Sequence, residues 1–186
     1  MARAAGPQQG SQKSTRFAMP ERHPVTAELI AEHASVQPGG KTRVGVRFEI
    51  EDGWHIYAQD PGDAGLPTSV QWWLPLNGAV PGSLRIPHNP PGFQPLPWPK
   101  PLEFRDPGDI KTFGYSSSVV IASVLWIDPQ QKPERTISIE ADVKWLACKE
   151  ICLPGKAHLS LDLPVSPEPP ALSTHAQFFQ QTDYTD

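Results

Sequence analysis

The chain has 186 residues, enough for one domain of ordinary size with tails. Its 23 prolines disfavour long helices, and its formal charge of −4 gives no basic excess, which argues against nucleic acid as a partner. No apolar run approaches the roughly 18 residues of a membrane-spanning helix. Two cysteines are too few for a disulfide-dense scaffold or for the four ligands of a structural zinc site.

Composition divides the chain into three parts. Residues 1–22 are rich in Gly, Gln, Ser and Arg and contain no apolar segment of the signal-peptide kind, so we expect a disordered leader or an artificial extension. Residues 23–165 are expected to form the folded domain. The Pro/Ser/Gln-rich residues 166–186 are expected to form a linker-like tail.

Short segments in which apolar and polar residues alternate follow one another through the domain. Helix is an alternative for residues 26–34, where good helix formers cluster. Residues 60–67 are expected to form a loop, and the proline-rich residues 87–107 a long irregular excursion across the surface. The segments that predict strands are 25–29, 44–50, 54–57, 69–74, 119–127, 136–145 and 159–163.

About seven or eight short strands with turns between them, and no convincing long helix, predict an all-β domain. The expected architecture is an immunoglobulin-like antiparallel β-sandwich with long Pro-rich loops. The cysteines do not have the Cys…Trp…Cys spacing of an antibody domain, which excludes that subtype.

Cys148 and Cys152 are the candidate chemical groups of this chain. If the strands before and after them are neighbours, residues 149–151 form a three-residue hairpin loop and the two Cα atoms come near the roughly 4.4–6.8 Å that a disulfide requires. So small a closed loop adds only about 2 kcal/mol of stability on the chain-entropy model. Such a disulfide stabilises the fold only a little, which is more typical of a bond that forms and breaks during function.

The charges near the two cysteines favour a reactive thiolate weakly. Lys144, Lys149 and Lys156 would stabilise a thiolate, whereas Glu150 opposes it. A thiolate is the species that attacks a disulfide, through a mixed-disulfide intermediate.

Two other interpretations remain open from the residues alone. One is a binding module with an inert structural disulfide, whose Pro-rich loop contacts a partner. The other is a copper- or zinc-binding domain, in which Cys148, Cys152 and His158 are joined by His55 or His88.

Four motifs occur in order along the domain: Gly53–Tyr57, Asp60–Thr68, Phe113–Tyr115 and Val143–Pro154. With them the chain resembles the periplasmic N-terminal domain of the DsbD/ScsB family of thiol:disulfide interchange proteins, over roughly residues 24–165. Because the enteric DsbD type spaces its cysteines more widely, this chain resembles the ScsB-like branch more.

The resemblance implies a sandwich with a redox-active cysteine pair at one end and no organic cofactor or metal. It implies a protein-disulfide reductase component that is monomeric and periplasmic, tethered through a following transmembrane domain. Electrons would come from the transmembrane redox domain of the same family and pass to periplasmic thioredoxin-fold proteins. Cys152 would attack the partner's disulfide, and Cys148 would resolve the mixed disulfide.

The resemblance also implies a short loop with an aromatic residue that caps the cysteines. The matching stretch is residues 109–115, so Phe113 is the first candidate for the cap and Tyr115 the second. The alternative interpretation is that both are ordinary core residues at the start of a strand. Tyr57 and His55 are expected to line the site, and an imidazole is suited to proton transfer near pH 7.

Overall fold

Ten strands form in the residues that the structure, a computed structural model, describes, which are 22–73, 92–106 and 108–180. No helix in these ranges is long and apolar enough to cross a membrane. The strands are β1 (Val25–Ala31), β2 (Lys41–Ile50), β3 (His55–Gly62), β4 (Ser69–Trp73), β5 (Phe93–Pro95), β6 (Leu102–Asp106), β7 (Ile110–Tyr115), β8 (Ser118–Trp126), β9 (Thr136–Cys148) and β10 (Cys152–Pro164).

The strands form two antiparallel sheets. The first has the order β1-β2-β8-β5, and the second has the order β10-β9-β3-β7-β6, with β4 paired to β9 beside β3. The predicted immunoglobulin-like antiparallel β-sandwich is thereby confirmed. Strand β9 connects three partners, because β10 lies along one edge while β3 and β4 share the other.

Alternating side chains build the core between the sheets. In a strand, every second side chain points to the same face. Strand β9 directs its odd-numbered residues inward, and β2 directs its even-numbered residues toward them, with Phe48 and Trp145 in an edge contact 5.5 Å between ring centroids. The residues that these two strands contribute to the hydrophobic core are Val44, Val46, Phe48, Ile50, Ile139, Ala141, Val143, Trp145 and Ala147.

Two segments differ from the secondary structure expected of them. Residues 25–31 form a strand, not the alternative helix, because all seven pair with β2, and this pairing outweighs local helix propensity. The Pro-rich segment contains β5 and β6, whereas a long irregular excursion was expected. Both strands lie at sheet edges. An edge strand tolerates proline because one of its sides has no neighbouring strand that would need the N–H that proline lacks. Residues 87–91 and 107 lie outside the described residues.

The tail also packs more than a linker would. A short 3₁₀ helix (Ala176–Phe179) places Phe179, which is 0% exposed, against Ile30, Val120 and Ala122 on the outer surface of the first sheet. Residues up to 180 therefore belong to the packed domain. The linker-like interpretation missed them because the burial of one aromatic side chain leaves no periodic pattern in the sequence.

Arg43 forms hydrogen bonds both to this tail and to Glu32. Its Nε donates to Glu32 Oε2 at 2.9 Å, its Nη2 to Glu32 Oε1, and its Nη1 to the backbone oxygen of Phe179 at 2.9 Å. The hydrogen bond from Arg43 lowers the pKa of Glu32, against the opposing effect of burial. The ion pair therefore stabilises the fold when Glu32 is ionised.

Glu32→Gln is expected to lower the free energy of unfolding by about 1.5–3 kcal/mol at pH 7, the usual range for a hydrogen bond to a charged group. Since the folded-state pKa is depressed, this contribution is present above the unfolded pKa and is lost as pH falls through the folded one. Urea unfolding of the variant and of the original chain between pH 7 and pH 3 measures the difference. A difference that does not shrink at low pH would contradict this assignment.

Candidate functional site

The two cysteines close the hairpin between β9 and β10. Thirteen residue pairs join these strands in unbroken register, from Pro164 opposite Thr136 to Cys152 opposite Cys148. The cysteines form a disulfide with their Cα atoms 4.1 Å apart. The expected three-residue loop is confirmed: within it the backbone N–H of Lys149 donates to the carbonyl of Ile151 at 3.0 Å.

The two sulfur-bearing residues differ in exposure. Cys148 is only 3% exposed, whereas Cys152 is an exposed residue of the edge strand. Cys148 belongs to the even-numbered residues of β9, and the core lies on the odd-numbered face. The disulfide therefore lies outside the main core, with one buried and one accessible end.

His55 lies on β3, the strand on the other side of β9 from Cys152, and Tyr57 follows it two residues later. The register places His55 directly opposite Cys148, so the row across three strands reads Cys152, Cys148, His55. His55 is 9% exposed, and its ring meets the Tyr57 ring edge to face, 5.3 Å between centroids. Thr68 donates its hydroxyl to the carbonyl of Tyr57 at 2.6 Å and so holds the loop after β3 against the site.

Phe104 on β6 is an aromatic neighbour that the sequence interpretation missed. Its ring stacks on the His55 ring, with centroids 4.5 Å apart and planes within 19°. Strand β7 lies between β6 and β3, so Phe104 reaches across β7 to make this contact. Leu102 and Phe104 alternate with charged residues between two prolines, and that short period-2 pattern is the signal that identifies the strand.

The two residues expected to cap the cysteines, Phe113 and Tyr115, both lie on β7. Tyr115 is buried in the core opposite Ile56, and its hydroxyl donates to the carbonyl of Pro99 at 2.8 Å. Phe113 is half-buried under the ammonium group of Lys111, which lies 5.3 Å from the ring centroid. A role in capping stays a prediction for both.

The nearby lysines are distributed unevenly. Lys144 and Lys156 face each other across the hairpin, four residues along the strands from the cysteines, which is about 13 Å. Lys149 is closer, and its ammonium group lies over the Gly53 turn, where an added Cβ would be 2.7 Å from Nζ. Of the three expected cations, Lys149 is the one directly next to a cysteine in the chain.

His158, one of the alternative metal ligands, lies six residues from Cys152 along β10. His158 Nδ1 lies 2.7 Å from Asp142 Oδ1, and its Nε2 lies 3.6 Å from Glu140 Oε2. His88 lies outside the described residues. In the ranges that the structure covers, no group of three His, Cys, Asp or Glu side chains is arranged to hold a metal ion.

Comparison with known proteins adds a family and a fold. The family described as thiol:disulfide interchange protein DsbD, N-terminal, matches residues 26–164. The N-terminal periplasmic domain of ScsB from Proteus mirabilis is similar in structure, with 21% sequence identity and a TM-score of 0.54. That match covers 88% of this chain and 55% of the ScsB chain, so this chain spans just over half of that protein's length.

A second solved structure is similar to a smaller degree. The DsbD N-terminal domain of Neisseria meningitidis in the reduced form has 18% identity and a TM-score of 0.34, over 73% of this chain and 84% of that one. No curated protein matches the sequence significantly. The family match covers most of the chain, and the ScsB structure supports the sandwich fold.

Proposed function

Because the chain belongs to the family of DsbD N-terminal thiol:disulfide interchange domains, we propose that its Cys148–Cys152 pair relays electrons from a membrane-embedded redox domain to the disulfides of partner proteins. The observation that carries the proposal is the asymmetry of the pair, with Cys152 exposed at a sheet edge and Cys148 buried behind it. A relay needs one sulfur that a partner can reach and a second that is protected from it.

The chemistry follows from this asymmetry. In the reduced domain, the Cys152 thiolate attacks the partner's disulfide and forms a mixed disulfide, while the partner's other sulfur leaves as a thiolate. Cys148 then attacks Cys152, which releases the partner as a dithiol and restores the internal disulfide. Two electrons pass from the domain to the partner, and no organic cofactor takes part.

The family supports a periplasmic location and redox proteins as partners. In our proposal the donor is the transmembrane redox domain of the same family, and the acceptors are periplasmic thioredoxin-fold proteins. The periplasm is an oxidising compartment, in which a partner needs a supply of electrons to stay reduced.

Exposed apolar side chains around the site fit a protein partner. Ile151, beside Cys152, is 62% exposed, and Leu66, in the loop whose Gly65 packs on the Tyr57 ring, is also 62% exposed. Leu102 on β6 is 52% exposed. Large exposed apolar residues close to a reactive group are typical of a docking surface.

We assign the cap of the site to Phe104. Its ring covers His55, the direct neighbour of the buried Cys148, and it is carried by a hairpin at the edge of the sheet. An aromatic cover over this side of the site limits the access of water and small thiols. Partner docking then has to displace the hairpin.

Phe104→Ala is expected to accelerate reduction of the disulfide by dithiothreitol on the order of tenfold, because loss of the ring opens the buried Cys148 end of the bond and access governs the rate of exchange. Stopped-flow reduction of the oxidised domain measures this rate. Phe113→Ala is the matched control on the neighbouring strand and is expected to react at the original rate. Acceleration by Phe113→Ala alone would refute the assignment and return the cap to Phe113.

The direct test of the relay is exchange between the reduced domain and an oxidised thioredoxin-fold protein. We expect stoichiometric loss of the partner's disulfide, one per domain, with formation of the Cys148–Cys152 bond. A double Cys148→Ser, Cys152→Ser variant serves as the blank. No exchange above this blank would overturn the proposed function.

A further inference from the structure

His55 is the titratable side chain that lies directly opposite Cys148. Residues in this position of an antiparallel pair share a face and have Cβ atoms about 4.5–5.5 Å apart. Both side chains are buried, His55 to 9% exposure and Cys148 to 3%. A thiolate formed at Cys148 is therefore poorly hydrated, and the imidazole beside it is the nearby group suited to exchanging a proton near neutral pH.

We propose that His55 is the proton-transfer partner of Cys148, giving a proton to its sulfur when the disulfide is reduced and removing it when the disulfide re-forms. This inference rests on the proposed function, because it concerns the proton that accompanies electron transfer through the same pair.

The proton balance of the reaction defines the role. During reduction, a donor thiolate bonds to the sulfur of Cys152, the Cys148–Cys152 bond breaks, and its electron pair stays on Cys148 as a thiolate. The His55 imidazolium pairs with this thiolate or protonates it. In the opposite direction, neutral His55 takes the proton from the Cys148 thiol, and the resulting thiolate attacks Cys152 and expels the acceptor's thiolate.

Packing holds the imidazole in place for this role. Phe104 covers its face from the β6 side, and the Tyr57 ring meets it edge to face. Because β9 lies on the opposite side of β3 from β7 and β6, His55 has Phe104 on one side of its strand and Cys148 on the other. The strand order thus places a buried imidazole on the strand next to Cys148.

The other charged groups on the strands and the hairpin around His55 either form ion pairs with one another or lie at the exposed edge of the site. On β6 and β7, Glu103 pairs with Arg105 at 3.1 Å and with Lys111 at 2.9 Å. The hairpin after Cys148 carries Lys149, which lies over the Gly53 turn, and the exposed Glu150. Lys149 and Glu150 have opposite charges at the rim, so His55 is the group whose titration follows the state of Cys148.

The pH dependence of the reduction equilibrium tests the inference. Each proton taken up with the two electrons changes the equilibrium constant tenfold per pH unit, which is about 30 mV. With neutral His55 in the oxidised domain, two protons are taken up. With protonated His55, only one is taken up, because the imidazolium already pairs with the Cys148 thiolate. The original chain should therefore change from a tenfold to a hundredfold dependence per pH unit between pH 5 and 8.

His55→Gln is expected to lose this change of slope and to follow the hundredfold dependence throughout. His158→Gln is the matched control, since His158 lies exposed on β10, six residues from Cys152, and it should keep the original profile. Equilibration with glutathione buffers followed by thiol alkylation gives the potential of the domain at each pH, once the two protons taken up by the glutathione couple itself are accounted for. Identical slopes in the original chain and in His55→Gln would overturn the inference.

A second measurement does not depend on whether His55→Gln folds. In the original chain, the NMR titration midpoint of His55 should be higher in the reduced domain than in the oxidised one, and equal midpoints would also overturn the inference. The relay is tested separately. If the domain exchanges with a protein disulfide but shows neither the change of slope nor the shift of the titration midpoint, only the role of His55 is refuted. Absence of exchange removes the proposed function itself.

Discussion

Cys148→Ser is expected to leave a domain that captures its partner and cannot release it. The remaining Cys152 is exposed at the edge strand, so its thiolate attacks the partner's disulfide, but no second sulfur resolves the product. Electron transfer should fall to the level of the double-serine blank while a one-to-one mixed disulfide accumulates. Non-reducing electrophoresis and mass spectrometry of the mixture detect this species.

Cys152→Ser is the matched comparison. It leaves only the buried Cys148, which should react with partners and with iodoacetamide on the order of tenfold more slowly than Cys152 does in the first variant, because reactivity follows exposure. Equal trapping by both variants, or faster trapping through Cys148, would contradict the order of attack assigned here.

Phe179→Ala is expected to lower the free energy of unfolding by about 3–5 kcal/mol, the usual cost of truncating a buried phenylalanine. The ring is fully buried against Ile30, Val120 and Ala122, and it lies close enough to Gly45 that an added Cβ there would be 3.3 Å away. Truncation leaves a cavity on the outer surface of the first sheet. Urea unfolding followed by tryptophan fluorescence measures the loss.

Leu172→Ala is the control within the same tail. Its side chain is 62% exposed, so a change within about 0.5 kcal/mol is expected. If Phe179→Ala were as mild as Leu172→Ala, the tail would contribute little to the fold, and a linker-like tail would be the better description of residues 166–180.

The cysteine hairpin could be derived from the sequence because its determinants are local. Alternation along residues 136–145 predicts a strand, and three residues between two cysteines leave room for one tight turn. The register observed, with Cys152 opposite Cys148, follows from these two facts. The fold class could be derived in the same way, from the number of short alternating segments.

Long-range partners could not be derived in this way. Phe104 reaches His55 only because the chain returns through β6 and β7 to the same sheet, and the prolines before β6 conceal a five-residue strand. Phe179 is buried by a sheet that is more than fifty residues away in sequence. In both cases, the contact depends on tertiary packing between segments far apart in sequence, which a local pattern does not show.

The reduction potential of the Cys148–Cys152 pair at pH 7 tests the relay most directly. Equilibration of the domain with dithiothreitol or glutathione buffers, followed by alkylation and mass spectrometry, gives the value without any partner protein. A relay should lie between roughly −200 and −270 mV, where thioredoxin and the glutaredoxins lie. A potential below about −300 mV is that of a structural disulfide and would contradict the account.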